Sequence, residues 1–391
     1  MPWKMEKPMD QKIQFVAEAI KGQDSMAGIC ERFGISRKTG YKWVQRYLET
    51  GPEALEDRSR SPEKHPNQTR QEVVDALLAG RRKHVSWGPR KLLWLVEQEH
   101  PDWRLPNPST VTDILNRHGM IQRKRKRRRP GHPGKPTIPV LAPNDAWSAD
   151  FKGHFRMLNG VYCYPLTVTD NFSRYLLCCQ AMLSPNIDDT QAVMTRVFRE
   201  HGLPARIRTD NGGPFAASDS LGRLSRLSAW WIRLGIQPEF IELGKPQQNG
   251  RHERMHKTLK DETTRPPAGS LRAQQNKFNA FCAEFNNDRP HEALKMHTPV
   301  SVHQPSRREM PRRILPLEYP AHFETRYVSA NGGIRWNGDW VNVSSVCVGE
   351  YVGMEEVEDA IWDVYYGPYK LGKFHERHLR IEDAYGRLVR K

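Results

Sequence analysis

The chain has 391 residues, 37% of them hydrophobic, and a formal net charge of +16. That length suits two to four soluble domains. No run of about 18 apolar residues and no apolar N-terminal segment occurs, which argues against membrane-spanning and secreted classes. The six cysteines (Cys30, Cys163, Cys178, Cys179, Cys282 and Cys347) form no Cys-x-x-Cys pair, so a cysteine zinc module is not expected and buried thiols are.

Charge is unevenly spread. Residues 1–142 hold 28 Lys+Arg against 16 Asp+Glu, and the other 249 residues hold 33 against 29. Excess positive charge in one third of the chain points to nucleic acid as the partner. Residues 1–50 have the pattern of a helix-turn-helix. Asp10 is placed to cap a helix with Ile13, Val16, Ala17 and Ile20 at the 3.6-residue period. A second helix covers about Met26 to Phe33, Gly34-Ile35 turns, and Ser36 caps a third. This third helix carries Gly40, Trp43, Val44 and Tyr47 on one stripe. Ser36, Arg37, Lys38, Tyr41, Lys42 and Gln45 make the other side, a basic hydrogen-bonding face suited to the major groove of double-stranded DNA.

Residues 51–68 are polar and Pro-containing and are expected as a linker. A second helical module covers 69–122, with Thr69 and Glu72 spaced as a capping box and Pro89 and Pro108 opening further helices. Ser109, Thr110, Thr112, Asn116 and Arg117 are expected outward, as DNA contacts or as the polar face of a helical spacer. Then come seven consecutive cations, Arg123, Lys124, Arg125, Lys126, Arg127, Arg128 and Arg129, followed by a Pro- and Gly-rich stretch to 142. Such charge density cannot fold alone and suits an extended strap along phosphates.

Residues 143–306 alternate strands and helices. Strands are expected at Ala146–Lys152, Val161–Thr169, Tyr175–Ala181, Ala205–Asp210 and Gln237–Ile241. A helix runs from Asp188 to His201, a longer one ends near Trp230-Trp231, and another carries Glu253. Three strands and then helix-strand-helix-strand-helix is the order of an α/β ribonuclease-H-like core. It places Asp150 midway along the first strand and Asp210 at the tip of the fourth, on neighbouring strands. Residues 307–320 are expected as a Pro- and Arg-rich linker. Residues 321–391 are expected as a small all-β barrel, with Asn337-Gly338 as a two-residue hairpin turn.

Three acids have settings that suit metal-assisted phosphoryl chemistry. Asp150 alternates against Trp147, Ala149 and Phe151 on its strand. Asp210 is followed by Asn-Gly-Gly, a turn with little side-chain bulk. Glu253 shares a helix face with Asn249, Lys257 and Lys260, cations beside a carboxylate. All-oxygen ligation fits Mg²⁺ or Mn²⁺, with two ions per site, rather than zinc. Glu239 and Glu242 are weaker candidates for the third ligand, being in or beside a strand.

These motifs resemble those of bacterial insertion-sequence transposases of the Asp-Asp-Glu, or integrase-core (retroviral-integrase-like), superfamily, over nearly the whole chain. The carried residues are Asp150 in Trp-Ser-Ala-Asp, Asp210 in Thr-Asp-Asn-Gly and Glu253 after Pro-Gln-Gln-Asn-Gly. The resemblance implies that they are catalytic and that Lys260, seven residues past Glu253, touches terminal DNA. Asp170, in Asp-Asn-Phe-Ser-Arg, fits the family as a structural residue, and Arg289-Pro290-His291 also resembles it. One departure is spacing: 42 residues lie between Asp210 and Glu253, more than is usual, with the surplus expected in Ala216–Leu227.

The implied activity is that of a metal-dependent DNA transposase, cytoplasmic and nucleoid-associated in a bacterium. It would bind terminal inverted repeats, cleave at the element ends and join the freed 3′-OH to target DNA, as a dimer or higher homo-oligomer. The alternative is a sequence-specific DNA-binding or regulatory protein, derived from a transposase but without catalysis. A retroviral-type integrase would bring a His/Cys zinc module at its N-terminus, which is lacking here. A ribonuclease H would not need paired DNA readers.

Overall fold

The computed structural model describes residues 8–57, 66, 68–121, 138–217, 220–242, 246–383 and 386. The expected basic strap, Arg123 to Arg129, lies outside these residues. The chain divides into two compact units, 1–68 and 69–391.

In the first unit, α1 (Pro8–Lys21), α2 (Met26–Arg32) and α3 (Arg37–Thr50) surround Phe15, Val16, Ile29, Cys30 and Leu55. Asp10 lies inside the first turn of α1 rather than ahead of it. Ser36 caps α3 as expected, its side chain accepting from the Thr39 amide. Ser36, Arg37, Lys38, Tyr41, Lys42 and Gln45 are all exposed. The expected linker begins as part of this unit: Ala54 and Leu55 are buried, and Lys12 Nζ donates to the Leu55 carbonyl at 3.0 Å. Buried Gly40 lets α3 close on α1 and α2, since a Cβ there would stand 2.5 Å from Cys30 Sγ and 2.8 Å from Phe15 Cζ.

The second unit opens with α4 (Gln71–Lys83), α5 (Pro89–Glu99) and α6 (Pro108–Arg117), packed around Val73, Leu77, Trp87, Leu92, Val96, Val111 and Leu115. The expected Thr69 cap is not made: Arg70 is the N-cap, without a side-chain bond. Ser109, Thr112, Asn116 and Arg117 are exposed, and Thr110 is half-buried. This module is docked on the core. Buried Arg289 donates to Ser86 Oγ at 2.9 Å and to Glu262 Oε1 at 3.0 Å, and His84 Nδ1 lies 3.0 Å from Glu284 Oε1. Burial first, and then Arg289, pushes the Lys91 amine down to about 7.

The core follows as β1 (Ala146–Phe151), β2 (Phe155–Arg156), β3 (Tyr162–Asp170), β4 (Leu176–Met182), α7 (Ile187–His201), β5 (Arg206–Thr209), α8 (Arg226–Arg233), β6 (Gln237–Phe240), α9 (Gly250–Thr263), α10 (Leu271–Ala283) and α11 (Pro299–Val302). The sheet order is β4-β3-β1-β5-β6, with β2 pairing the start of β3. β1 is antiparallel to β3 and parallel to β5, and β5 is parallel to β6, so the expected mixed sheet is present. Met194, Val197 and Phe198 of α7 pack with Leu227 and Trp231 of α8 against Trp147, Ala149 and Ile207. Met255 and Leu259 of α9 pack with Phe278 and Phe281 of α10 against Cys163, Leu176 and Cys179. Helices therefore cover both faces.

The expected long helix before β6 is short: α8 has 8 residues. The preceding residues are used otherwise. Leu221 and Leu224 are buried with Ala229 and Ile232 in the core of the C-terminal domain, and Tyr369 Oη donates to the Gly222 carbonyl at 3.0 Å. The surplus between Asp210 and Glu253 is thus a docking segment for that domain. The expected linker at 307–320 is also anchored. Arg308 donates to the carbonyls of Pro204, Leu234 and Gly235, and Tyr319 Oη donates to the Tyr351 carbonyl.

The C-terminal domain comprises β7 (Glu324–Tyr327), β8 (Gly333–Trp336), β9 (Asp339–Asn342), β10 (Tyr351–Glu358), β11 (Ile361–Tyr366), β12 (Tyr369–His375) and β13 (Arg380–Glu382). Asn337 and Gly338, both at positive φ, turn β8 into β9 as expected. The expected closed barrel is replaced by an open path, β13-β12-β11-β10-β7, and a separate β8-β9 hairpin. The hairpin lies beside β7 and β13 and joins them through Ile334, Trp336 and Val341 in the core, so side chains rather than a ladder span the gap. No described helix is long and apolar enough to cross a membrane, and the six cysteines are unpaired.

Gly40→Val is expected to cost the first unit about 1–3 kcal/mol by overpacking. Amide hydrogen exchange should then speed roughly ten- to hundredfold across residues 8–57 and stay unchanged in α7. Uniform protection would show that the helices reseat without cost.

Candidate active site

Strand register sets the first two acids level. β1 pairs β5 in parallel with Ser148 opposite Arg208. Asp150 is two residues beyond Ser148, next to last in β1 rather than midway, and Asp210 is two beyond Arg208, just past β5. Side chains alternate along a strand, so both carboxylates leave the same face. Asp210 Oδ1 accepts from the Gly212 amide at 3.1 Å. Its neighbour Asn211 donates to the Ile241 carbonyl and accepts from Arg223 at 2.7 Å. Glu253 is exposed in the first turn of α9. Burial first, then the charge of Asp210 and more weakly that of Glu253, pushes Asp150 up to about 7. Asp210 and Glu253 therefore both stand within electrostatic reach of Asp150.

Beneath Asp150 lies a closed polar cluster that the sequence reading missed. Thr167, opposite Asp150 on β3, donates its hydroxyl proton to the Asp150 carbonyl at 3.0 Å. The same oxygen lies 2.7 Å from His252 Nε2 and 2.6 Å from His256 Nε2. A threonine has one proton to give, so both imidazoles must be the donors and both carry hydrogen on Nε2. His252 Nδ1 then accepts from Thr169 Oγ1 at 2.9 Å. Burial holds His252 down at about 3. It holds His256 lower still, with help from the neighbouring His252 and Lys152. His256 Nδ1 faces Asp150 Oδ2 at 3.7 Å, beyond hydrogen-bond length. Donor atoms of Asp150, His252 and His256 all lie within 4.8 Å of one another.

A legible signal for this cluster existed. His252-Glu-Arg-Met-His256 is the His-Glu-x-x-His spacing that puts two imidazoles on one helix face. In zinc proteases both imidazoles bind the ion. Here His252 has both ring nitrogens occupied by threonines, and the histidine pair turns inward while Glu253 turns out.

Other candidates fall unevenly. Lys257 and Lys260 are exposed on α9. Asn249, expected on a DNA-facing surface, is buried, and its Nδ2 makes a long 3.5 Å contact to Asp150 Oδ2. It sits at the turn into α9, which draws its side chain in against the carboxylate. Glu239 is taken by Arg208 at 2.8 Å and Arg206 at 3.6 Å, and Glu242 holds Gln248. Neither faces the site as a free ligand. Asp170 is fully buried and accepts from the amides of Asn144 and Ser173, a structural role as expected. An unforeseen basic group lies on the other flank of α9: burial, and then Arg251, pushes Arg174 down to about 10, with Arg254 adding to the effect.

The donor set fits a hard divalent cation. Like charges converge on a carboxyl already forced toward its neutral form, and a cation between them relieves both costs.

Residues 141–246 and 234–299 match models described as integrase core domains. Residues 11–63 match a helix-turn-helix domain and residues 39–115 a homeodomain-like domain. An insertion element IS407 protein of Burkholderia multivorans is 27% identical over 223 residues, covering 54% of this chain and 74% of its own. An insertion element IS476 protein of Xanthomonas euvesicatoria is 24% identical over 278 residues, covering 70% of each. An insertion element IS136 protein of Agrobacterium tumefaciens is 28% identical over 197 residues, covering 47% of this chain and 95% of its own.

The raised Asp150 value has a measurable sign. Without metal, the folded carboxyl titrates at about 7, against ~3.9 in the unfolded chain. Between these values the fold keeps a proton that the unfolded chain has released, so this group's contribution to stability falls as pH rises and is level above 7. In chelator, Asp150→Asn should match the parent's melting temperature near pH 4, exceed it increasingly toward pH 7, and keep a constant lead above. Thermal melts across that range test it; a lead independent of pH would contradict the electrostatic origin.

Proposed function

We propose, for a chain that belongs to the integrase-core superfamily of bacterial insertion-sequence transposases, that it is a DNA transposase cutting and joining DNA at Asp150, Asp210 and Glu253. The observation that carries this reading is the level placement of Asp150 and Asp210 on adjacent parallel strands, with Glu253 close enough to add its charge. The inverted repeats, cleavage, strand transfer and paired-end assembly below are inferences from that arrangement.

Asp150, Asp210 and Glu253 would hold two divalent ions, magnesium or manganese, whose chemistry would be to activate the attacking oxygen and stabilise the leaving one. Asp150 takes the central place, reached by the charges of both other acids. Its carboxyl is aimed by the β1–β3 ladder and by Thr167 on its own carbonyl. Asp210 is held by the Gly212 amide. Glu253, exposed in the first turn of α9, would complete the ligand set. The first reaction breaks a phosphodiester with water and leaves a 3′-OH at the element's end. In the second, that hydroxyl attacks a target phosphodiester, one P–O bond replacing another. No side chain becomes covalently attached to DNA, since water and then the 3′-OH are the attacking groups.

Lys257 and Lys260, exposed one and two turns beyond Glu253, hold phosphates of the terminal DNA. The exposed face of α3 reads the inverted repeat, with α6 as a second contact. Joining two ends calls for a dimer or a larger homo-oligomer.

Asp150→Asn and Glu253→Gln should each cut metal-dependent nicking of a cognate end at least ~100-fold, with end binding within about threefold of the parent. Equal loss of binding and nicking, or retained nicking, would remove these acids from the chemistry. If the parent binds ends and never nicks, the DNA-binding regulator is the better account. Deleting residues 1–57 should weaken end binding roughly tenfold or more and leave nicking at high protein concentration largely intact.

A further inference from the structure

The histidine and threonine cluster has one ring nitrogen unaccounted for. Thr167 gives its single proton to the Asp150 carbonyl and accepts from both imidazoles, which fixes hydrogen on Nε2 of His252 and His256. His252 is then complete, because its Nδ1 accepts from Thr169. His256 is not. Its Nδ1 carries a lone pair and no hydrogen-bond partner among the described residues, and Asp150 Oδ2 stands 3.7 Å from it. His256 is 5% exposed, yet its Nδ1 is not wholly sealed from solvent, so a water or a cation can reach that atom. A lone pair facing a carboxylate oxygen is repulsive unless something positive stands between them.

The separation is close to that of two donors on one ion. With bonds of about 2.0–2.2 Å, donors on a shared cation lie roughly 3.0–3.6 Å apart, from octahedral to tetrahedral angles. A small carboxylate rotation closes the remaining gap.

We propose that His256 Nδ1 is a ligand of the divalent cation held by Asp150, making this a mixed nitrogen–oxygen metal site. The proposal rests on the reading that the carboxylates bind a divalent cation, and it adds a donor that the three acids do not supply. His252 takes no part, since both its nitrogens are engaged. One consequence is metal preference. Imidazole is a poor partner for Mg²⁺ and a better one for softer ions, so this site should favour Mn²⁺ over Mg²⁺ by more than a carboxylate set does.

The test uses the full-length protein with Mn²⁺ and no DNA, read by electron spin-echo envelope modulation. The expected result is ¹⁴N modulation from a directly bound nitrogen, replaced by the ¹⁵N pattern when the protein carries ¹⁵N-histidine. His256→Asn should abolish the modulation and weaken Mn²⁺ binding about tenfold by calorimetry, with Mg²⁺ binding changed by less than about threefold. His252→Asn should keep the modulation. Circular dichroism on each variant separates loss of a ligand from loss of fold, and the unmutated protein carries the primary result by itself. Bound Mn²⁺ without ¹⁴N modulation would overturn the proposal and leave the carboxylate site standing. Modulation lost in His252→Asn but kept in His256→Asn would overturn it as well. Failure to bind Mn²⁺ at all would take down the proposal together with the metal-dependent reading beneath it.

Discussion

Parallel pairing of β1 with β5 is the constraint on which the site depends. Hydrogen bonds along those strands bring Asp150 and Asp210 to one level, and the fold accepts the repulsion that follows. Nothing in the packing requires two acids there. The buried Trp147, Ala149 and Ile207 on the opposite face would hold the sheet together with neutral residues in their place. Burial and two neighbouring acids push the Asp150 carboxyl up to about 7, an arrangement that costs stability and that a bound cation would relieve.

Much of this was legible because strand and helix periods are local. The five main strands fall within a residue or two of their expected places, and Ser36 caps α3 as its position suggests. Less local features were not. Leu221 and Leu224 look like part of a helix when read alone, but their apolar partners are Val328, Val352 and Leu371, more than a hundred residues away in sequence. The same long-range demand shortened α8 and turned a supposed insertion into a docking segment. Thr69 and Glu72 had the spacing of a capping box, and the chain entered α4 one residue later. The β8-β9 hairpin was legible from Asn337-Gly338, whereas its failure to ladder onto β7 or β13 was not, because a turn sequence carries no information about distant edges.

The site shows the same division. Asp150, Asp210 and Glu253 announce themselves by their neighbours in sequence. The tautomers of His252 and His256 do not, for they follow from a single hydroxyl on a strand more than eighty residues earlier. Asn249 was misjudged for a related reason: its place on the Glu253 face suggested solvent and DNA, and only the entry of α9 against β1 shows it buried beside Asp150. Helical wheels give direction around an axis and say nothing of how near the next element stands.

Arg289 has a further consequence. Its guanidinium is buried and divided between Ser86, in the connection between α4 and α5, and Glu262, on the same helix as Glu253. Prising the α4–α6 module away would strand that cation, so the module and the carboxylates keep a set offset. A duplex bound on the proposed α6 face would therefore meet the three acids at an offset measured by protein rather than by DNA, in the manner of a carpenter's gauge.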